Sequence, residues 1–267
     1  MNEPRSPAAG REDGAAAPGT EHRVRGRLLV ASALLIAGFL LTFPLDFSAY
    51  QALERIDHPL FQQAAQQFSF WGDYFPGSVL VSVILFTGGL LARNRRIRSA
   101  ALASLLAATC AGLSVDACRF SFGRPRPYAT AAAAALQLGR APEVKVSFGR
   151  TRPGTDLPDG FYGPVGIHMF QGFPSGHATS STASAVAVLP LVPEIGIPLT
   201  LLAAGVCWSR MELRQHYLSD VAVGALWGAL WGIGFGRLLL GRLPPRPKPA
   251  PASPRHAWLE RKRGQSR

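Results

Sequence analysis

Hydrophobic residues of this chain occur in long runs that are separated by short polar segments. A helix needs about 20 apolar residues to cross a bilayer, because it rises 1.5 Å per residue and the hydrocarbon core is about 30 Å thick. The shorter runs reach this length with flanking residues. The pattern predicts an all-α fold, a bundle of six transmembrane helices centred on Leu28–Leu45, Tyr74–Ala92, Ala100–Cys118, Ala178–Pro190, Ile195–Trp208 and Val221–Leu240.

The last run argues against the alternative, a soluble protein with buried helices. Soluble helices normally show a polar face, and Val221–Gly236 shows none. Within this run Gly224, Gly228 and Gly232 recur at every fourth residue, a spacing that allows close helix contact in a membrane. We therefore expect this helix to pack against a neighbour through its glycines.

Positive charge is concentrated at the ends of the hydrophobic runs. The net charge of +12 is compatible with binding of nucleic acid. The basic residues, however, cluster in residues 22–27, 93–98 and 237–267, each beside an apolar run. This positive-inside pattern predicts a multi-pass protein of a bacterial-type inner membrane with both termini in the cytoplasm. It favours the membrane over nucleic acid as the partner.

Composition divides the chain into three parts. Residues 1–24, rich in Ala, Gly, Pro and charge, are predicted to be a disordered tail. Residues 25–242 are the six-helix membrane domain, and residues 243–267 are a basic, Pro-rich cytoplasmic tail, also predicted to be disordered. The amphipathic segment 46–73 is predicted to form a short helix near the outer interface, where aromatic rings settle.

The longest polar connection, Arg119–Phe173, contains a short internal repeat. Residues 119–127 read RFSFGRPRP, and residues 145–153 read KVSFGRTRP. A connection of this length in a compact protein is usually functional. The predicted topology places polar loops on the outer, periplasmic face, where this connection meets Phe173–His177 and Ser209–Asp220.

The stretch around Ser175, Gly176 and His177 passes from a polar loop into an apolar helix. Backbone N–H groups at a helix start are unpaired and lie at the positive end of the helix dipole, which suits an anion such as phosphate. His177 adds a titratable imidazole there. Taken alone, the stretch is equally typical of a capped helix with a surface histidine.

Arg210, His216 and Asp220 form a second polar group. His216 and Asp220 are four residues apart, one turn of a helix. A carboxylate bonded to one imidazole nitrogen leaves the other nitrogen free to attack phosphorus. His177 would then protonate the departing oxygen, and arginines would hold the phosphoryl oxygens. No acidic cluster or Cys-x-x-Cys pair has ligand spacing, so we expect no metal and no cofactor.

These residues resemble the three-part motif of the type-2 phosphatidic acid phosphatase superfamily, which includes vanadium haloperoxidases and bacterial acid phosphatases. The resemblance implies a six-helix membrane enzyme that hydrolyses lipid phosphates or pyrophosphates without a metal. It implies that His216 is the nucleophile, Asp220 its orienting partner and His177 the general acid. The matching parts are Arg119-x6-Arg126-Pro127, Pro174-Ser175-Gly176-His177 and Ser209-Arg210-x5-His216-x3-Asp220, whose Arg119, Arg126, Ser175, Gly176 and Arg210 would bind phosphate.

The first part departs from the family pattern, which begins with lysine. The first copy has Arg119, whereas the second copy, Lys145-x6-Arg152-Pro153, matches the pattern fully. Lys145 and Arg152 are therefore the alternative phosphate-binding pair. We favour the first copy because Arg119 directly follows a predicted helix and because arginine keeps a permanent cation there.

The substrate class implied by the resemblance is a lipid phosphate in the bilayer. Undecaprenyl pyrophosphate, phosphatidic acid, phosphatidylglycerol phosphate and lipid A phosphate all fit, because the motif residues act on the phosphate alone. The alternatives are a lipid phosphotransferase with the same site, a haloperoxidase and a non-catalytic membrane scaffold. The apolar runs argue against a haloperoxidase, and the intact histidines and aspartate argue against a scaffold. The sequence leaves homo-oligomer formation open.

Overall fold

The computed structural model describes residues 18–245, with side chains from residue 25 onward. Most of the two tails predicted from composition therefore lies outside the described residues. The first helix begins at Pro18, seven residues earlier than the predicted start of the membrane domain, because the segment before Arg25 continues the same helix.

The described region is mostly helical, as the sequence predicts, with a small β-ribbon added. Strands β1 (Val146–Thr151) and β2 (Pro158–Phe161) pair antiparallel. The all-α prediction did not include this ribbon, which has a bulge where Gly149 takes a positive φ of 67°. The helices are α1 (Pro18–Thr42), α2 (Asp46–Arg55), α3 (Pro59–Trp71), α4 (Leu80–Leu91), α5 (Arg95–Phe122), α6 (Ala131–Leu138), α7 (Gly176–Val188), α8 (Pro193–Glu212) and α9 (Leu218–Leu240).

Four helical segments of the described chain are long and apolar enough to cross a membrane. They are residues 25–55, 74–91, 95–122 and 218–240, where a π-helical turn at Tyr74–Val79 leads into α4. The helix α7 has 13 residues, which is about 20 Å and shorter than the hydrocarbon core. The helix α8 is long enough but carries Arg210 and Glu212 in its last turn.

The helix α7 lies at the centre of the bundle, between α5, α8 and α9. The glycines of α9 face it at every fourth position. A Cβ added at Gly224 would lie 2.6 Å from the carbonyl oxygen of Ser175, and one at Gly228 would lie 2.3 Å from that of Thr179. The expected packing through glycines is confirmed, and it fixes the start of α7 against the start of α9.

We expect Gly228→Ala to destabilise the protein by about 1–3 kcal/mol, because the added methyl group overpacks the contact between α7 and α9. Gly234→Ala is the matched control on the same helix, since its added Cβ meets nothing within 4 Å. The control should leave stability unchanged or raise it by up to about 1 kcal/mol, because alanine favours helix more than glycine does. Thermal melts in detergent measure both, and equal melting temperatures for the two variants would contradict the packing argument.

Candidate active site

A cavity of about 370 Å³ opens at the end of the bundle where α7 begins and α5 and α8 end. All three polar segments expected on one face contribute to it, together with the π-helical turn. Its polar lining comprises Asp73, Asp116, Arg119, Arg126, His168, Gly176, His177, Ser180, Arg210 and His216. The fold thus brings together residues that are far apart in sequence.

The imidazole of His216 is buried and held in one orientation. Its Nδ1 lies 2.7 Å from the carbonyl oxygen of Gly172, and its Nε2 lies 3.4 Å from Nη1 of Arg126. A carbonyl only accepts and a guanidinium only donates, so Nδ1 carries the proton and Nε2 carries the lone pair. The nitrogen that is free to accept or to bind a ligand is therefore the one beside Arg126.

The carboxylate of Asp220 does not orient His216 by a direct hydrogen bond, which was the sequence-based expectation. Its Oδ2 lies 3.8 Å from Nδ1 of His216 and accepts instead from the Tyr217 amide at 2.8 Å. The expectation assumed that both residues lie on one helix, whereas α9 begins only at Leu218. Asp220 instead caps the turn beside His216 through the Tyr217 amide.

Three guanidinium groups face the cavity, from Arg119, Arg126 and Arg210. Nε of Arg119 donates to the Gln171 carbonyl at 3.2 Å, and Nε of Arg126 donates to the His168 carbonyl at 3.2 Å. Burial is the main cause that lowers the pKa of His216 well below its usual range, followed by the charges of Arg126, Arg210 and Arg119. The cavity is suited to an anion and keeps His216 neutral.

The start of α7 offers its amides to the cavity from Gly176 onward. The Ser175 amide itself is taken, since it donates to the Asp220 carbonyl at 3.0 Å, so the expectation of a free Ser175 N–H was wrong. The Ser175 hydroxyl is buried without a partner among the described residues. Gly176 contacts the Arg119 guanidinium, because a Cβ there would lie 2.7 Å from Nη1.

The two copies of the internal repeat have different positions. Arg119 and Arg126 of the first copy line the cavity. Lys145 of the second copy points to solvent and pairs with Glu143 at 2.7 Å. Arg152 is buried and donates to the carbonyls of Arg126, Pro127 and Ala129. The second copy thus supports the loop that carries Arg126.

A buried ion cluster lies behind the cavity, and sequence analysis missed it. Its centre is Arg124, which has no exposed side-chain surface. Arg124 donates to Asp220 at 2.6 Å, to Asp46 at 2.9 Å and to Asp159 at 3.4 Å. Asp46 in turn accepts from the Ser219 amide at 2.8 Å, which places a carboxylate at the positive end of α9.

Arg150 joins the same cluster from the second repeat copy. It donates to both Asp159 and Asp46, and its guanidinium lies 3.5 Å from the centre of the Phe43 ring. The repeated letters FGR are the sequence signal that could have revealed this, because Arg124 and Arg150 occupy the same place in the two copies. Their shared carboxylates connect α2, both repeats and α9.

A comparison with protein families shows which known proteins these cavity residues resemble. The model of the PAP2 superfamily matches residues 128–242. This part of the chain is therefore similar to the PAP2 superfamily. The matched residues include His177, Arg210, His216 and Asp220, and the first repeat copy with its Arg126 precedes them.

Curated relatives match a shorter stretch. Decaprenylphosphoryl-5-phosphoribose phosphatase of Mycobacterium tuberculosis is 45% identical over 71 residues, in two strains. The match covers 24% of this chain, and the chain spans 38% of that relative's length.

Two solved structures resemble a larger share of the chain. LpxE of Aquifex aeolicus has a TM-score of 0.47 and 21% identity, covering 72% of this chain and 95% of that chain. A transmembrane PAP2 type phosphatidylglycerolphosphate phosphatase from Bacillus subtilis has a TM-score of 0.49 and 15% identity, covering 81% and 98%.

Proposed function

We propose that this chain is an integral-membrane, metal-independent phosphatase of lipid phosphates or pyrophosphates. The observation that carries the proposal is the position of His216 Nε2, which presents its lone pair beside Arg126 in a cavity with three guanidinium groups. A neutral imidazole next to cations is arranged to attack an anionic phosphorus centre. The PAP2 match over residues 128–242 supports the same chemistry.

In the first step, His216 Nε2 forms a bond to phosphorus, and the bond from phosphorus to the lipid oxygen breaks. Arg119, Arg126 and Arg210 hold the three other phosphoryl oxygens and stabilise the charge that builds on them. The Nδ1 proton of His216 remains hydrogen-bonded to the Gly172 carbonyl. Because Nε2 then carries the phosphoryl group, the imidazole ring of the phospho-histidine is positively charged. The nearby Asp220 carboxylate, 3.8 Å away, stabilises that charge.

His177 donates the proton that the departing lipid oxygen requires. Its Nε2 lies 4.0 Å from Oδ1 of Asp73, a carboxylate that favours the protonated ring, whereas burial and the arginines of the cavity oppose it. A bound phosphate dianion offsets the arginine charge, so substrate binding itself prepares His177 as the acid. In the second step a water gives its proton back to His177, attacks phosphorus and releases inorganic phosphate from His216.

The membrane arrangement that we propose has six spanning helices, α1, α4, α5, α7, α8 and α9. The short α7 is completed by the loops at its ends and is enclosed by its neighbours, so it needs less apolar length of its own. The basic residues 93–98 would lie in the cytoplasm, with the termini. The cavity would then open on the periplasmic face of a bacterial-type inner membrane.

The proposed substrate class is lipids whose phosphate group protrudes from the membrane. The Mycobacterium tuberculosis relative is named for a decaprenyl-linked sugar phosphate, which adds polyprenyl phosphates and their glycosylated forms to the candidates. Phosphatidic acid, phosphatidylglycerol phosphate, lipid A phosphate and undecaprenyl pyrophosphate remain in the test panel, because the site binds the group that they share.

The test is phosphate release from this panel by the full chain in detergent, with EDTA present throughout. Among the described residues no group of three or more His, Cys, Asp or Glu side chains is placed to hold a metal ion, so we expect release to survive the chelator. Loss of all activity in EDTA that Mg²⁺ or Zn²⁺ restores would overturn metal independence. Transfer to an added lipid alcohol in place of water would instead identify a phosphotransferase.

The acid limb of the pH–rate profile should lie below the ordinary histidine pKa of about 6.5. The nucleophile must be neutral, kcat/KM reports the free enzyme, and burial and the arginines lower the pKa of His216. Arg119→Gln removes one of these charges, so its acid limb should move to higher pH. Arg140→Gln, at an exposed position, is the control with the same charge change. An acid limb that stays in place in Arg119→Gln would contradict this electrostatic account.

A further inference from the structure

A second polar cavity lies at the opposite end of the bundle from His216. It has a volume of about 770 Å³ and lies between α4, α5 and the residues that follow α9. We call it the Arg98 groove, after the arginine at its centre. We propose that the Arg98 groove binds an anionic phospholipid, with its phosphate on the arginines and one acyl chain along the apolar wall.

Three arginines form the polar end of the Arg98 groove: Arg95, Arg98 and Arg242. No residue that lines the groove is acidic, and within residues 25–245 none of the three arginines has an ion-pair partner. Nε of Arg98 is also buried without a hydrogen-bond partner in that same part of the chain. A buried donor without an acceptor costs free energy unless a ligand supplies one, and a phosphate oxygen is such an acceptor.

The arginine end of the groove is built by specific packing. The stem of Arg98 lies against Gly89 of α4, where an added Cβ would come within 2.8 Å of Cγ of Arg98. Arg96 donates to the Pro244 carbonyl at 2.9 Å and so holds the segment after α9 against α5. This contact keeps Arg242 at the groove, and the three charges converge although they come from two distant parts of the chain.

The rest of the groove has the dimensions of a lipid chain in one leaflet. Its wall on α5 runs from Arg95 to Leu105, which is about 15 Å of helix and half of a hydrocarbon core of about 30 Å. Val83, Phe86 and Leu102 on the wall are 47–54% exposed, so they face the lipid side. A soluble anion would need the arginines but not this wall.

The positive-inside rule explains why arginines lie at this end of the helices, but it does not require a groove or an unpaired buried Nε. Arg93 separates the two explanations. It carries the same charge at the same end of the bundle, yet it does not line the groove. A topology signal depends on Arg93 and Arg98 alike, whereas a lipid site depends on Arg98 and Arg242.

The test measures bound lipid by native mass spectrometry, and melting temperature, for the full chain in detergent. Phosphatidylglycerol, phosphatidylcholine and inorganic phosphate are added separately. We expect phosphatidylglycerol to bind and to raise the melting temperature, with phosphatidylcholine at least tenfold weaker and inorganic phosphate without effect. The variant Arg98→Gln/Arg242→Gln should lose one bound phosphatidylglycerol, while Arg93→Gln should keep it.

Size-exclusion chromatography and the helical circular dichroism spectrum show whether the double variant is folded. If it is not, Val83→Trp, which fills the wall and keeps all the arginines, takes its place and should also lose the lipid. Equal binding by wild type and both groove variants would overturn the proposal. Equal binding of phosphatidylcholine, or a shift caused by inorganic phosphate alone, would overturn it as well.

Discussion

Replacing His216 with alanine is expected to lower phosphate release by about 10⁴-fold or more, because the nucleophile that accepts the phosphoryl group is removed. Its Nε2 is the lone-pair nitrogen that the geometry presents to the cavity. The residual rate would come from the arginines alone, since they still bind the phosphate. Initial rates on the best lipid of the panel measure the loss.

His168 provides the matched control for this substitution. Its side chain lines the same cavity, but among the described residues its ring has a hydrogen bond only with the Tyr128 hydroxyl, at 3.2 Å, and it is the His168 backbone that supports Arg126. His168→Ala should therefore keep the rate within about tenfold of wild type. Losses of similar size in the two variants, or an unaffected rate in His216→Ala, would contradict the nucleophile assignment.

Trapping adds a readout that a purely structural role would not change. Protein quenched during turnover of a ³²P-labelled substrate should carry label that is lost in acid and kept in base, the behaviour of a phosphoramidate. The label should be absent from His216→Ala and present in His168→Ala. Label that resists acid would indicate a different covalent intermediate.

The second large expected effect distinguishes Arg124 from Arg126, two arginines that are only two residues apart. Arg124→Met should lower the free energy of unfolding by about 3–5 kcal/mol, because it leaves buried carboxylates without their cation. Asp220 is the most affected, since Arg124 is its ion-pair partner at 2.6 Å. The melting temperature in detergent should fall by roughly 10 °C.

Arg126→Met should have the opposite effects, a small change in stability and a large loss of activity. Arg126 faces two other guanidinium groups across the cavity, so its removal relieves repulsion while it costs hydrogen bonds to the His168 carbonyl and to Oε1 of Gln215. We expect stability to change by no more than about 1 kcal/mol and phosphate release to fall by about 10²–10³-fold. Comparable melting temperatures for the two variants would contradict the division between ion cluster and cavity.

A rescue experiment tests the ion cluster further. In the Arg124→Met background, Asp220→Asn removes the unpaired charge and keeps the shape of the side chain. Asp220→Asn should restore part of the lost stability, whereas Asp116→Asn, at an exposed carboxylate, should restore none. The double variant should stay inactive, because His216 then lacks the carboxylate near its ring.

Much of the fold was predictable because local patterns determine it. Apolar runs place the long helices, although α1 begins ten residues before its run. The spacing of Gly224 and Gly228 predicts the contact with α7 that the structure has. The convergence of His177, Arg210 and His216 was predictable as well, because the positive-inside rule puts their segments at one end. The two strands escaped prediction because they are short and depend on a bulge at Gly149.

The parts of the site that were missed depend on contacts between distant residues. Asp46 and Ser219 are 173 positions apart, and no periodicity links them. Asp46 stood in a segment that composition assigned to the membrane interface, yet its side chain is completely buried. His216 and Asp220 lie 3.8 Å apart without the expected direct hydrogen bond, because spacing of one helical turn means little where the backbone is not helical.

The contact between Asp46 and the start of α9 also determines at which stage of synthesis the fold can be completed. Ribosomes add roughly 5–20 residues per second, so Asp46 leaves the ribosome about 9–35 s before the Ser219 that it caps. During that interval its carboxylate has no helix start to bind, and Arg124 has no Asp220. A nascent chain that stops before α9 therefore lacks the Asp220 carboxylate and the helix start at Ser219, and the last helix is the one that completes the ion cluster.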